Sequence, residues 1–564
     1  MTSFGDEESN LTQPPPTHGD RVLSSLIQMY RTEDGSNTNR TSSDTHSFDT
    51  SARWAEKKQR IPSGILAGSP MTLEDDVMLR RRYLLRLCYA LMLYGAPTHR
   101  LEECMGLSAR ALEIEGQFLY FPSCMIVVFD DSCTHTSEIK VVRAPQDIDL
   151  GKLRDAHKIY KLVIHKRIDV DEAMEWLEEV IGRKYKYSVW FRVLMCGGIS
   201  MCAAPVAFGG RIIDLPPAFL LGTIVGVLQY YCAASNELYA PVLEVMAAMM
   251  TAFGGRFFGS LYGGQLFCFS TLAQCSLALI LPGYMILCSS LELQSHNIVA
   301  GSVRLIYAMI YTLLLGYGLT IGASIYGIMD SNASSATKCT DPLDRRFHII
   351  FVCGFTFCTA IICQANWKQT PIMLAMSCTA YVVSSTCGQY FLGNSQIPNL
   401  LGALTLGIMA NLYSRLGRHV EHAWLHCAEW SKSCFSRRTR LTADKTEWPL
   451  PNNPQAVRLP RKTRVELRKQ SVGYSLAAAA MLPAIFVLVP GSVAAGGSLI
   501  SSIAFADQIA GNHGDGKASS ALDSTGLTVL FRVLQVAISL SVGLFLSALI
   551  VYPLGKRRSG LFAF

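Results

Sequence analysis

"LALILPGYMIL" at residues 277–287 and "IFVLVPGSVAA" at 485–495 are apolar stretches broken by the same dipeptide, Pro282-Gly283 in one and Pro490-Gly491 in the other. Proline withholds a backbone donor and clashes with the preceding helical turn, while glycine tolerates the irregular backbone that follows. In lipid such a break is stable only where the freed backbone groups meet protein or a water-filled cavity. Paired interruptions in two halves of a chain point to a carrier's binding site. Each break is read as lying near the end of a membrane helix. Hinge and plain helix stop are the two meanings weighed, and the pairing favours the hinge.

The composition agrees. Of 564 residues 50% are hydrophobic, and the mean hydropathy is +0.26, which defines an integral membrane protein with appended polar parts. The net charge of +7 gathers between Arg415 and Lys469 and in Lys556-Arg557-Arg558, so it speaks of membrane topology and against nucleic-acid binding. Eighteen cysteines form no CxxC pair, and many, such as Cys196, Cys268 and Cys363, lie in apolar runs. No disulfide framework, zinc site or other metal or cofactor is implied. The absence of GxxxxGK[ST] removes an ATP site from the chain itself. The polar stretch from Met1 to Asp20 carries no cleavable signal peptide.

Residues 1–71 are poor in aliphatics and read as a disordered tail. Residues 72–187 read as a small cytoplasmic α/β domain. "LEDDVMLRRRYLLRLCYALMLYG" (73–95) has helical apolar spacing and stops at Gly95-Ala96-Pro97, and Thr98 caps a second helix to about Glu115. The β-rich runs "QFLYFPSCMIVVFDD" (117–131) and "SEIKVVRA" (137–144) flank Asp130-Asp131-Ser132-Cys133 and suggest a hairpin. Amphipathic helices follow over 150–166 and 170–182.

From 188 onward about ten spans of roughly 20 residues fit a bilayer core. They lie near 188–208, 215–235, 239–258, 266–287, 304–328, 347–366, 371–392, 397–416, 472–490 and 528–553. The positive-inside rule puts Arg183, Lys184, Lys186, the basic loop 417–470 and the 554–564 tail on the cytoplasmic side with both termini, while Arg345 and Arg346 count against it. The spans divide into a first five-helix repeat, 188–328, an extracytoplasmic loop, 329–346, and a second five-helix repeat, 347–553. An odd-numbered repeat inserts its second copy upside down. The breaks fall in spans four and nine, with Arg304 and Arg532 opening the spans after them. On that count the two breaks face opposite sides of the membrane, as gates on one pathway.

"LMLYGAPTHRLEECMGLSARALEIEG" (91–116), "FPSCMIVVFDD" (121–131) and the helical pair leading into the spans resemble the N-terminal part of the threonine/serine exporter family. "IPNLLGALTLGIMANLYSRLG" (397–417) and "LVPGS" (488–492) resemble that family's companion membrane domain. The fused arrangement with a long polar tail is similar to the fungal pheromone-regulated membrane proteins. The resemblance runs from about Leu79 to about Pro553. It implies a multi-pass secondary carrier, with small hydroxylated amino acids exported by some bacterial members of the family using the proton gradient.

Glu244, inside span three in "APVLEVMAAMM" (240–250), is the leading candidate for proton coupling or amine binding, because a carboxylate at membrane depth is expensive. The alternative is an acid at the membrane surface or in a structural ion pair. Asn236 and Glu237 read first as a solvated turn. Arg304 and Arg532 read first as snorkelling residues and second as partners of a substrate carboxylate. Asn399, Asn411 and Asp507 are polar groups for substrate or helix–helix hydrogen bonds. Asn332 heads a glycosylation sequon. In the soluble domain His99, Ser123, Asp130, Asp131, Cys133 and His135 include the residue types of a hydrolase. Without a GxSxG elbow, a regulatory or assembly role is the favoured reading.

The function expected is a secondary transporter exporting a small polar solute, an amino acid such as threonine or serine, by proton-coupled alternating access. A membrane-anchored hydrolase and a non-transporting scaffold in mating or cell fusion are the alternatives. The partners are a small molecule and the bilayer of the plasma, vacuolar or another endomembrane.

Overall fold

Tyr83, Leu84, Leu87, Cys88 and Leu91 recur at helical spacing and bury one face of the first helix, α1 (Pro70–Leu93). The computed structural model describes residues 70–414, 477–488 and 518–552, apart from 97, 132–135, 146, 233–239, 265, 331–332, 334–338, 340, 368 and 392–395. The tail, the basic loop 417–470, Asn236, Glu237, Asn332, Asp507, Pro490, Gly491, Cys133 and His135 lie outside these residues. α1 ends where Gly95 takes a left-handed φ of 74° and Ala96 N–H donates to the Leu91 carbonyl at 3.0 Å. A Cβ there would sit 2.8 Å from the Asp147 carbonyl, so both conformation and space demand glycine.

α2 (Thr98–Ala111) leads into a meander of β1 (Gly116–Phe121), β2 (Cys124–Asp131) and β3 (Thr136–Arg143), antiparallel throughout. Phe118 pairs with Val127 and Val128 with Ile139. Met125, Val127 and Phe129 alternate inward onto the helices, as a half-buried strand requires. The first β-rich run, expected as one arm of a hairpin, is itself a hairpin that turns at Pro122-Ser123, with Ser123 at φ 67°. α2 also stops short of Glu115, because Glu113 leaves helical geometry at φ 60°. α3 (Leu150–Ile164) is capped by Asp149, whose Oδ1 accepts from Lys152 N–H at 2.9 Å. Burial pushes the Asp149 carboxyl above its ordinary pKa although the cap opposes the shift. α4 (Val170–Gly182) closes the domain.

The apolar half continues with α5 (Val189–Phe208), α6 (Leu215–Val227, prolonged by a π turn, Leu228–Cys232) and α7 (Ala240–Ser260). Then come α8 (Phe269–Cys275), α9 (Gly283–Gln294), α10 (Ile298–Met329), α11 (Arg345–Ile362), α12 (Thr370–Tyr390), α13 (396–414), α14 (Ala477–Leu488) and α15 (Ala518–Val551). Seven helical segments among the described residues are long and apolar enough to cross a bilayer. They correspond to expected spans one, two, three, five, six, seven and ten.

Span four departs from expectation. It is not a helix over 266–287 broken near its end but two half-helices, α8 and α9, joined by residues 276–282. Pro282 caps the second half-helix instead of ending the first, since a residue with fixed φ and no N–H is suited to a helix start. Span five begins at Ile298, so Arg304 lies well inside it. The expected lack of disulfides is corrected by Cys268–Cys339, which ties the loop before α8 to the segment between α10 and α11.

The soluble domain sits at one end of the bundle. Leu150 N–H donates to the Cys363 carbonyl at 3.0 Å, and Lys186 N–H donates to Gln364 Oε1 at 3.2 Å. At the other end Asp214, fully buried, accepts from the N–H groups of Arg211 and Cys268, both at 2.9 Å. The disulfide belongs to this far end.

Small residues let the helices approach closely. On α10 a Cβ at Gly318 would lie 2.7 Å from the Val245 carbonyl of α7, and one at Gly322 would collide with the Met249 carbonyl. Gly322→Val is therefore expected to cost about 1–3 kcal/mol by overpacking and lower the unfolding midpoint in detergent by several degrees. Gly388→Ala, which meets open space, serves as the unaffected control.

Candidate functional site

The interrupted span is satisfied from within the protein. Beyond α8 the chain runs in tight turns, with Leu277 N–H donating to Gln274 O at 3.2 Å and Ile280 N–H to Leu277 O at 2.8 Å. Ser200 of α5 donates to the Cys275 carbonyl at 2.8 Å, and Ser276 donates to Leu272 O at 2.6 Å. Carbonyls left over at the end of α8 are thus taken up by hydroxyls.

α9 carries a deeply buried carboxylate, Glu292, 2% exposed. The Arg304 Nη2 lies 3.3 Å from Glu292 Oε1, and the same nitrogen donates to the Tyr120 hydroxyl of β1 at 3.4 Å. Across the bundle Ser290 meets Ser541 of α15 at 2.8 Å, and Gln294 Nε2 donates to the same hydroxyl at 2.6 Å. Tyr284 stacks on Phe486 of α14 with ring centroids 5.2 Å apart. One half-helix thus touches the first half, the second half and, through Arg304, the soluble domain. At an effective dielectric of 20 the ion pair attracts by roughly 5 kcal/mol. Desolvation costs several kcal/mol per ion. The pair therefore fixes an arrangement more than it adds stability.

Glu244 occupies α7, half-buried, and its carboxylate accepts a hydrogen bond from the Tyr311 hydroxyl of α10. In the second half Asn411 is 1% exposed, and its Nδ2 has no hydrogen-bond partner among the described residues. The Ser377 hydroxyl and both polar atoms of the Gln369 side chain are in the same state. Thr379 donates to Met409 Sδ at 2.9 Å, and a Cβ at Gly402 would lie 3.0 Å from Ser384 Cβ. That antiparallel register puts Ser377 and Asn411 at the same level on α12 and α13.

Several candidates do not converge. Asn399 is half-buried in the first turn of α13, and Arg532 and His99 lie within α15 and α2. Ser123 is exposed at the turn before β2, whereas Asp130 and Asp131 end that strand. At about 3.3 Å per residue they are roughly 23 Å apart, too far for one catalytic constellation. Arg304, read first as snorkelling, instead pairs with Glu292. Glu292 itself escaped the sequence reading because span four was ended at 287. Its signal was present in "CSSLELQ" (288–294), where an acid continues the apolar run. No group of three or more His, Cys, Asp or Glu arranged to hold a metal occurs among the described residues.

A bundle with seven helical segments long and apolar enough to cross a bilayer, and ionisable groups buried among its helices, defines a polytopic membrane protein. The family model described as "Putative threonine/serine exporter" matches residues 82–326. The chain belongs to the threonine/serine exporter family, in a group with the fungal pheromone-regulated membrane proteins. It is 37% identical over 583 residues to pheromone-regulated membrane protein 10 of Eremothecium gossypii, covering 99% of this chain and 71% of that one. The protein of the same name in Candida albicans is 43% identical over 491 residues, covering 86% of this chain and 39% of the relative. In Candida glabrata the figures are 39% over 510 residues, 90% and 58%. The chain thus spans about two fifths of the Candida albicans relative's length and under two thirds of the Candida glabrata one's. No solved structure matches the chain.

Removing one partner of the buried pair strands the other charge, so Glu292→Leu or Arg304→Met alone is expected to cost about 3–5 kcal/mol. The double variant Glu292→Leu/Arg304→Met restores most of it. Thermal unfolding of the three proteins in detergent measures the coupling, and additive losses would refute it.

Proposed function

We propose that this protein is a secondary transporter that exports a small polar solute, an amino acid such as threonine or serine, by proton-coupled alternating access. The single observation carrying the reading is the discontinuous span four, whose second half bears a buried, paired carboxylate. Half-helix starts near the bilayer midplane suit anionic groups, because their first amides lack intrahelical acceptors and the helix dipole is positive there. The amides of Gly283 to Met285 would take the carboxylate of an amino acid. Asn411 and Ser377 supply donors from the second half.

Glu244 is the proton-coupling group in this scheme, because Tyr311 offers its carboxylate a partner in either protonation state. The Glu292–Arg304 pair is the latch. When it opens, α9 separates from α10, and the connection through Tyr120 lets the soluble domain sense the change. Five spans in each half, inverted relative to one another, would give the two sides equivalent gates. In this scheme Pro282, at the start of a half-helix, serves as a pivot beside the substrate.

In proteoliposomes, an imposed pH difference is expected to drive threonine or serine against its gradient. Glu244→Gln keeps exchange of labelled substrate and loses pH-driven accumulation. Unchanged accumulation in that variant removes Glu244 from the coupling. A folded wild-type protein with no flux of any amino acid favours the scaffold reading.

With the soluble domain cytoplasmic, the Cys268–Cys339 bridge faces the oxidising side of the membrane, where disulfides persist. A membrane-impermeant maleimide applied outside is expected to label these two cysteines only after reduction. Labelling from the cytoplasmic side alone would invert the orientation.

A further inference from the structure

The segment entering α5, "RKYKYSVWFR" (183–192), holds four cations and no carboxylate within ten residues. Asp155 takes Arg183 at 2.7 Å. Lys186 and Arg192 have no carboxylate partner among the described residues, and Arg192 Nε is buried without a hydrogen-bond acceptor. Aromatic rings hold both cations in place instead. Lys186 Nζ lies 5.1 Å from the Tyr187 ring centroid and 5.3 Å from that of Trp367. The Arg192 guanidinium lies 4.2 Å over Tyr230 and 5.1 Å over Tyr185. Trp190 packs on Tyr231 with centroids 5.0 Å apart.

Trp190 and Trp367 are 69% and 51% exposed, at the end of the bundle where the soluble domain begins. Tryptophan at the ends of apolar helices sits at headgroup depth. Uncompensated cations at that depth meet the negative surface of a leaflet carrying anionic lipid. The π turn at 228–232 brings Tyr230 and Tyr231 to this corner, and such turns recur at functional sites. Carboxylate does approach from one side, where Asp147 accepts from the Tyr185 hydroxyl at 3.4 Å. Asp149 acts on the same hydroxyl, and Lys152 Nζ lies 5.4 Å over the Tyr185 ring. Against these two carboxylates Lys152, Lys184, Lys186 and Arg192 leave a net positive charge at the corner.

We propose that this corner is a binding site for the headgroup of an anionic phospholipid in the leaflet facing the soluble domain. The phosphate is held by Lys186 and Arg192, with Trp190 and Trp367 flanking the glycerol region. The site is also a joint. Lys186 N–H bonds Gln364, and Trp367 belongs to the same turn whose Cys363 carbonyl receives Leu150 N–H. A bound headgroup therefore bridges the soluble domain and the bundle at the place where they meet. An acidic protein partner is the competing occupant, but the exposed indoles and adjoining apolar helix ends favour lipid.

The test uses the full chain in phosphatidylcholine nanodiscs containing increasing brominated phosphatidylserine or, separately, brominated phosphatidylcholine. Brominated phosphatidylserine is expected to quench tryptophan fluorescence at a lower mole fraction, and the excess quenching is lost in Trp190→Phe and Trp367→Phe. Each cation removed weakens the preference by roughly fivefold. Lys184→Gln/Lys186→Gln/Arg192→Gln is thus expected to abolish it, whereas Lys184→Arg/Lys186→Arg keeps it and reports a folded protein. Equal quenching by the two lipids overturns the proposal, as does a preference that survives the triple glutamine variant. Displacement of the effect by millimolar inorganic phosphate alone would reassign the corner to a soluble anion and equally overturn it.

Discussion

Backbone polar groups inside a bilayer have no water to turn to, and the seven residues between α8 and α9 are where this chain meets that constraint. Tight turns, the Ser200 and Ser276 hydroxyls and a proline with no N–H to satisfy together remove the penalty. Much of the surrounding architecture follows from that solution. α5 must lie close enough for Ser200 to reach the Cys275 carbonyl, and the glycines at 197, 222 and 226 permit that tight α5–α6 packing. α9, freed from the axis of α8, can then press its polar face against α10 and α15 together.

That polar face explains why the soluble domain is not a detachable appendage. Arg304 answers Glu292 on one side and Tyr120 on the other, so a strand of the soluble domain and a half-helix in the bundle share one guanidinium. The hydrophobic core of the domain runs on into Leu287, Ala300, Cys363 and Met373 without a polar layer between.

Much of this was legible in the residues. The apolar runs of spans one to three gave their positions to within a few residues, because uninterrupted hydrophobicity over bilayer length has little other meaning. The helix–strand–helix order of this domain is legible from periodicity, and Gly95 and Thr98 mark helix ends by their local chemistry, whereas the Asp149 cap is not read from the sequence. Span four is misleading in the sequence because Pro282-Gly283 reads as punctuation at a helix terminus. Proline is equally at home at a helix start, and only the tertiary contacts of α9 decide between the two. A span ending at 287 leaves Glu292 outside the apolar run and hides it. Pairings across the bundle, such as Arg304 with Glu292 or Ser541 with Ser290, depend on helix rotation and neighbours, and one sequence carries no record of those. The meander was missed for a smaller reason. Pro122-Ser123 is a two-residue turn whose left-handed serine departs from the glycine or asparagine that signals such hairpins.

The disulfide at the far end gives the broken span a mechanical asymmetry. α8 is anchored by Cys268–Cys339, by the Asp214 bond to Cys268 N–H and by the Thr271 hydroxyl donating to the Phe208 carbonyl at 3.0 Å. α9 has no covalent tether and is held by an ion pair, hydroxyl contacts and stacked rings. In the proposed transport cycle the α8–α9 pair would act as a lever clamped at one end, with its fulcrum at 276–282. Chemistry on the disulfide side stiffens the mount, and chemistry on the soluble-domain side loads the arm.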